Sequence, residues 1–169
     1  AIWAIEPLFV SEINDLPVFE LLAIIFLSAF LFTSIRLTVK KRWKLVLKQP
    51  IWIWLIGFFG ICFSDFAYVY SSQYAPIAHV DLIDYLWPCF AVLFTAMLPK
   101  ERLTFQQFFA MLLGVFGIYL LVGKGIVQDF NFEYCMGYII AIIGAMIWGG
   151  YSAFSRYFHK VPTEMVGMY

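Results

Sequence analysis

Between Ala75 and Leu98 the chain reads APIAHVDLIDYLWPCFAVLFTAML, a run long and apolar enough to cross a bilayer that nevertheless holds His79, Asp81, Asp84 and Pro88. A spanning helix needs about 20 apolar residues, and a charged side chain at its centre costs about 2.5–3.5 kcal/mol on the insertion scale. Pro88 has no N–H, so it removes the donor that would reach the carbonyl four residues back, which is that of Asp84. A carboxylate and a disturbed carbonyl therefore coincide near mid-span. Irregular backbone at that depth is tolerated only against protein or a water-filled cavity. The stretch reads as the wall of a binding site.

Composition fixes the class around that wall. Hydrophobic residues make up 63% of the chain and charged ones 13%, against about 45–50% and 25% in soluble domains. The expected fold is all-α: a polytopic helical membrane protein in contact with the lipid bilayer. The formal net charge of zero points to no nucleic-acid partner. Cys62, Cys89 and Cys135 are isolated, so they suggest neither a disulfide framework nor a metal site.

Six apolar segments are expected, over about 1–13, 17–38, 51–70, 75–98, 105–123 and 136–158. The first is too short for a ~30 Å hydrocarbon core and reads as the outer half of a longer helix. If the segments alternate in direction, ten of the 11 Lys and Arg residues fall on one side, leaving only Lys124 opposite. The positive-inside rule then places that side, and the N-terminus, in the cytoplasm. Glu12, Asp15, Glu20, Asp129 and Glu133 lie on the other side. A short word recurs as well: Ala1-Ile2-Trp3-Ala4 in the first segment and Met146-Ile147-Trp148-Gly149 in the sixth. Those segments run in opposite directions, as in a transporter built from inverted repeats with its site at the repeat interface.

The residues Tyr74-Ala75-Pro76, Pro88, Glu101-Arg102-Leu103-Thr104, Gln107 and Gly117 resemble the hallmark region of the drug/metabolite transporter (EamA) superfamily. Ala110 stands where that family usually has glycine. Tyr85-Leu86-Trp87-Pro88 and Ile143 to Trp148 most resemble the YddG-type aromatic amino acid exporters. The resemblance implies ten helices in two inverted five-helix repeats, alternating access around a central cavity, and no enzyme activity or organic cofactor. On that pattern residues 1–123 are the first repeat, 124–135 a periplasmic connection, and 136–169 the first helix of the second repeat. The second five-helix repeat is then the chain's main partner. Those exporters carry Asn at the place of Asp84, Gly at that of Asp81 and Glu at that of His79, so the local charge pattern is rewritten here.

Four carboxylates sit within spans: Glu6, Asp65, Asp81 and Asp84. Asp81 and Asp84 share a helix face, and two close carboxylates resist ionising together. They are candidates to hold a substrate's amino group or a coupling proton. Asp84 leads, Asp81 and Glu6 follow, and Asp65 and His79 are weaker because either suits an interfacial position. Tyr85, Trp87, Trp148, Tyr151 and Trp3 are candidate cavity-lining aromatics, with Tyr68 a weaker one. Trp43, Tyr70 and Tyr74 suit the membrane interface. Ala141, Ala145 and Gly149 form a small-residue face for close helix packing, and Gly114 and Gly117 are expected to do the same.

The expected function is an inner-membrane transporter exporting small organic solutes, above all amino acids of aromatic type. A transporter of amines or other cationic metabolites is the alternative, favoured by the extra acids. An intramembrane aspartyl protease would need a Gly-x-Gly-Asp word and aspartates on two helices. The word is absent, and Asp81 and Asp84 share one helix. A passive membrane scaffold would leave the mid-span acids without purpose, and no repeated filter word supports an ion channel.

Overall fold

The computed structural model describes residues 17–98, 104–123, 132–156 and 161–169, and among them every regular element is helical. The chain runs through α1 (Val18–Val39), a short α2 (Trp43–Leu47), α3 (Ile51–Ser71), α4 (Ile77–Asp84), α5 (Trp87–Ala96), α6 (Phe105–Gly123) and α7 (Cys135–Ser155). By length and apolarity, Phe19–Val39, Ile51–Ser71, Ile77–Ala96 and Phe132–Ser155 can each cross a membrane. Helix α6 is a further apolar segment, and the first of the six expected lies outside the described residues.

Proline sets where these helices start. Pro17, Pro50 and Pro76 directly precede α1, α3 and α4. Each carbonyl accepts the N–H three residues on, from Glu20, Ile53 and His79, at 2.9–3.0 Å. A proline there loses nothing, because first-turn N–H groups have no intrahelical partner. Helix α6 starts differently. The Thr104 N–H donates to Gln107 Oε1 at 3.0 Å, and the Gln107 N–H donates to Thr104 Oγ1 at 3.3 Å. This reciprocal capping box is a physical reason for Thr104 and Gln107 at that spacing.

Helix α7 is the axis of the bundle, packed against α3, α4 and α5. Its small residues make this possible. A methyl group at Gly137 would lie 2.6 Å from Ala75 Cβ, and one at Gly144 would lie 3.0 Å from Ala67 Cβ. At Gly149 it would lie 2.7 Å from Phe90 Cβ and 2.8 Å from the Trp87 carbonyl oxygen. The small face expected at Ala141, Ala145 and Gly149 thus extends back one turn to Gly137. Gly114 and Gly117 behave otherwise: a methyl at either meets nothing within 4 Å. Helix α6 packs on α5 alone among the principal helix contacts, so these glycines are not at a packed face of the described structure. Large apolar side chains such as Phe32, Ile35, Phe59 and Phe116 point outward, as a lipid-facing surface requires. Ser64 bonds back to its own helix, through the Gly60 and Ile61 carbonyls.

Beyond α7, Pro162 opens one more turn, Thr163–Met165, and the chain folds back on the Lys/Arg-rich end of α1–α3. Met165 is fully buried with Leu37, Val46 and Ile53. The expectation of a simple first helix of a second unit had not included this return.

The glycine contacts predict opposite outcomes at adjacent positions. Gly149→Ala forces a methyl against backbone atoms that cannot yield, and should cost about 1–3 kcal/mol. At Gly150 the nearest atoms are the Phe94 ring at 3.7 Å, so Gly150→Ala should be neutral or gain up to about 1 kcal/mol from helix propensity. Thermal unfolding of the full-length protein in detergent distinguishes them.

Candidate functional site

The break in the fourth span falls two residues before the expected Trp87-Pro88. Helix α4 closes with Tyr85 N–H on the Asp81 carbonyl (2.9 Å) and Leu86 N–H on the Ile83 carbonyl (3.0 Å). Helix α5 then restarts, with Cys89 and Phe90 both donating to the Leu86 carbonyl at 2.9 and 3.2 Å. Pro88 occupies the first turn of the new helix, where its missing N–H is harmless. The discontinuity therefore centres on Tyr85 and Leu86, and Tyr85 stands 57% exposed in mid-span.

Two polar contacts pin α4 on either flank. Tyr68 Oη on α3 donates to Asp81 Oδ1 at 2.5 Å. Tyr138 Oη on α7 meets His79 Nδ1 at 2.9 Å, with Tyr134 edge-on to the imidazole at 6.3 Å. His79 is buried, and its bond to Tyr138 ties α4 to α7. Asp84 and Asp65 are half-buried on α4 and α3.

Next to the break the aromatic side chains line up. Trp87 packs edge-to-face on Trp148 with ring centroids 6.3 Å apart, and Trp148 lies 5.6 Å from Tyr151. The row links α5 to α7, and it reaches α3 because Tyr151 lies over Gly60, where a methyl group would come within 2.6 Å of the ring. Tyr85, two residues before Trp87 in the chain, is exposed. The structure thus brings together Trp87, Trp148 and Tyr151, and separately Tyr68 with Asp81. Trp3 and Glu6 lie outside the described residues. Tyr134, Tyr138 and Gly60 were not anticipated. The four-residue spacing of small residues on α7 was the available signal, since continuing it back to Gly137 puts Tyr138 beside α4. Among the described residues no three His, Cys, Asp or Glu side chains form a metal-holding group.

Comparison with known proteins joins this geometry to a family. The model of the EamA-like transporter family matches residues 1–123. The chain belongs to the EamA-like transporter family. This EamA chain is 42% identical over 123 residues to the aromatic amino acid exporter YddG of Ancylobacter novellus, a match covering 72% of the chain and 42% of the exporter. A solved crystal structure superposes with a TM-score of 0.82 at 35% identity, over 98% of this chain and 57% of the other. The chain therefore spans about half the length of the proteins it matches.

The ties on α4 should register in stability. Tyr68→Phe and Tyr138→Phe each leave a part-buried or buried polar partner with one bond fewer, at a cost of about 1–3 kcal/mol. Tyr85→Phe, at an exposed position, should stay within about 0.5 kcal/mol. Denaturation midpoints of the three variants in one detergent check the order.

Proposed function

We propose that the longer protein to which this chain corresponds exports amino acids of aromatic type across the inner membrane by alternating access. The observation that carries the reading is the row Trp87–Trp148–Tyr151 next to a helix break that directly follows Asp81 and Asp84 on α4. Aromatic faces and edges accept another ring at about 0.5–1.5 kcal/mol per pair beyond its burial. A carboxylate at the same depth suits an ammonium group or a coupling proton. Asp84 is assigned to that role, with Asp81, Glu6 and Trp3 as further candidates. Asp81 accepts a hydrogen bond from Tyr68, which suits it to anchoring α4 as well.

In this reading residues 1–123 form one five-helix repeat and residues from 136 begin a second of opposite topology, joined by 124–135. The N-terminus is cytoplasmic, following the Lys/Arg asymmetry. The name of the Ancylobacter relative supports the substrate class, and the additional acids are the one observation favouring amines or other cationic metabolites instead.

Counterflow of labelled solutes into proteoliposomes holding the full-length protein tests this. Phe, Trp and Tyr should exchange faster than aliphatic amino acids, and Asp84→Asn should abolish most of the exchange. Trp148→Ala should raise the half-saturating concentration about three- to tenfold, as loss of one ring contact implies. Exchange of simple amines alone would replace the aromatic reading with the cationic one.

A further inference from the structure

One charged cluster lies outside the candidate site, at the opposite end of α1 and α3. Glu164, in the turn after Pro162, has a side chain only 7% exposed, yet its Oε1 lies 3.8 Å from Arg36 Nη2 and 3.6 Å from Arg42 Nη1. The arginines come from different elements. Arg36 is in the last turn of α1, whereas Arg42 directly precedes α2. Arg42 is presented by a tight turn in which Lys41 takes φ 53°, a left-handed conformation that costs a non-glycine residue about 1 kcal/mol or more. Strain of that kind persists where surrounding contacts hold it, and here the turn aims a guanidinium at a buried carboxylate.

The rest of the segment docks by shape. A methyl at Gly167 would lie 2.0 Å from Thr33 Oγ1, and one at Gly57 would lie 2.1 Å from the Tyr169 ring. Tyr169 also packs edge-on to Trp54 at 5.9 Å. Val166 to Tyr169 wall an apolar cavity of about 410 Å³ between α1 and α3, with Phe26, Phe30, Ile61 and Cys62 on its other sides. Among the described residues of this segment, Glu164 supplies the ion pairs beside a largely apolar contact.

We propose that Glu164, clamped by Arg36 and Arg42, is a latch that holds the segment after α7 against α1–α3 and keeps the Lys/Arg-rich end of the transporter closed. The inference rests on the transport reading, because only alternating access requires that end to open and close. The Glu164 carboxyl is held below its ordinary value of 4.5 by its own backbone N–H and then by Arg36, Arg42 and Lys40. Its folded-state pKa is depressed, so the latch is complete above the ordinary glutamate range and is released only as the pH falls below it. At neutral pH the latch is charged and set, and opening requires a competing interaction such as bound solute.

The test uses the full-length protein in nanodiscs, with native cysteines replaced and Thr33→Cys as reporter beneath Gly167. Labelling by an impermeant maleimide should rise roughly fivefold in Glu164→Gln, as expected for loss of two half-exposed ion pairs. Arg42→Gln, at an exposed position, should raise it as well, and should do so even if Glu164→Gln folds poorly. The reversed set Arg36→Glu, Arg42→Glu and Glu164→Arg should restore slow labelling. Unchanged labelling in both single variants, with solute exchange intact, overturns the latch while leaving the transport reading in place. Failure of every solute to exchange, with labelling still responsive, overturns the transport reading on which the latch's role depends.

Discussion

A helix inside a bilayer has no water to satisfy backbone groups at a break, and the fourth span breaks at Tyr85 and Leu86, with Pro88 in the first turn of the helix that follows. The fold is arranged around this constraint. Helix α4 ends before the proline, α5 begins with the proline in its first turn, and the intervening Tyr85 and Leu86 make the change of register. A broken helix needs a rigid support, and α7 supplies it. Gly149 allows the backbone at Trp87 and Ala91 to approach α7 directly, while Gly137 and Gly144 do the same for Ala75 and α3. The cost of the break is met by packing that larger side chains would prevent.

The same arrangement gives different contacts to residues that look alike in sequence. His79 and Asp81 are each engaged by a tyrosine of a neighbouring helix, which fixes α4 laterally. Trp87, Trp148 and Tyr151 make mainly ring contacts, with Gly60 giving Tyr151 the room it needs.

The spans were legible because hydrocarbon thickness sets one length for all of them. The expected 105–123 coincides with α6, and 51–70 differs from α3 by one residue. The kink was legible in Pro88, although the turn settled two residues earlier, where the carbonyl of Ile83 could take the N–H of Leu86. Pairwise facts were not legible. Nothing in the order of residues says that His79 meets Tyr138, 59 positions away. Gly114 and Gly117 have the spacing of a packing face, yet none of the described helices covers them. The fold-back of Pro162 to Tyr169 uses two glycine notches and two ion pairs that no local pattern announces.

The central claim is that the break at Tyr85 borders a water-filled, solute-binding cavity. Tyr85→Cys in the full-length protein, otherwise free of cysteine, tests it most directly through the rate of modification by a small hydrophilic thiol reagent, with and without phenylalanine. The account predicts modification at a rate typical of an aqueous pocket, slowed by phenylalanine but not by alanine at equal concentration. A thiol inert to the reagent, or one modified at the same rate whatever solute is present, would contradict it.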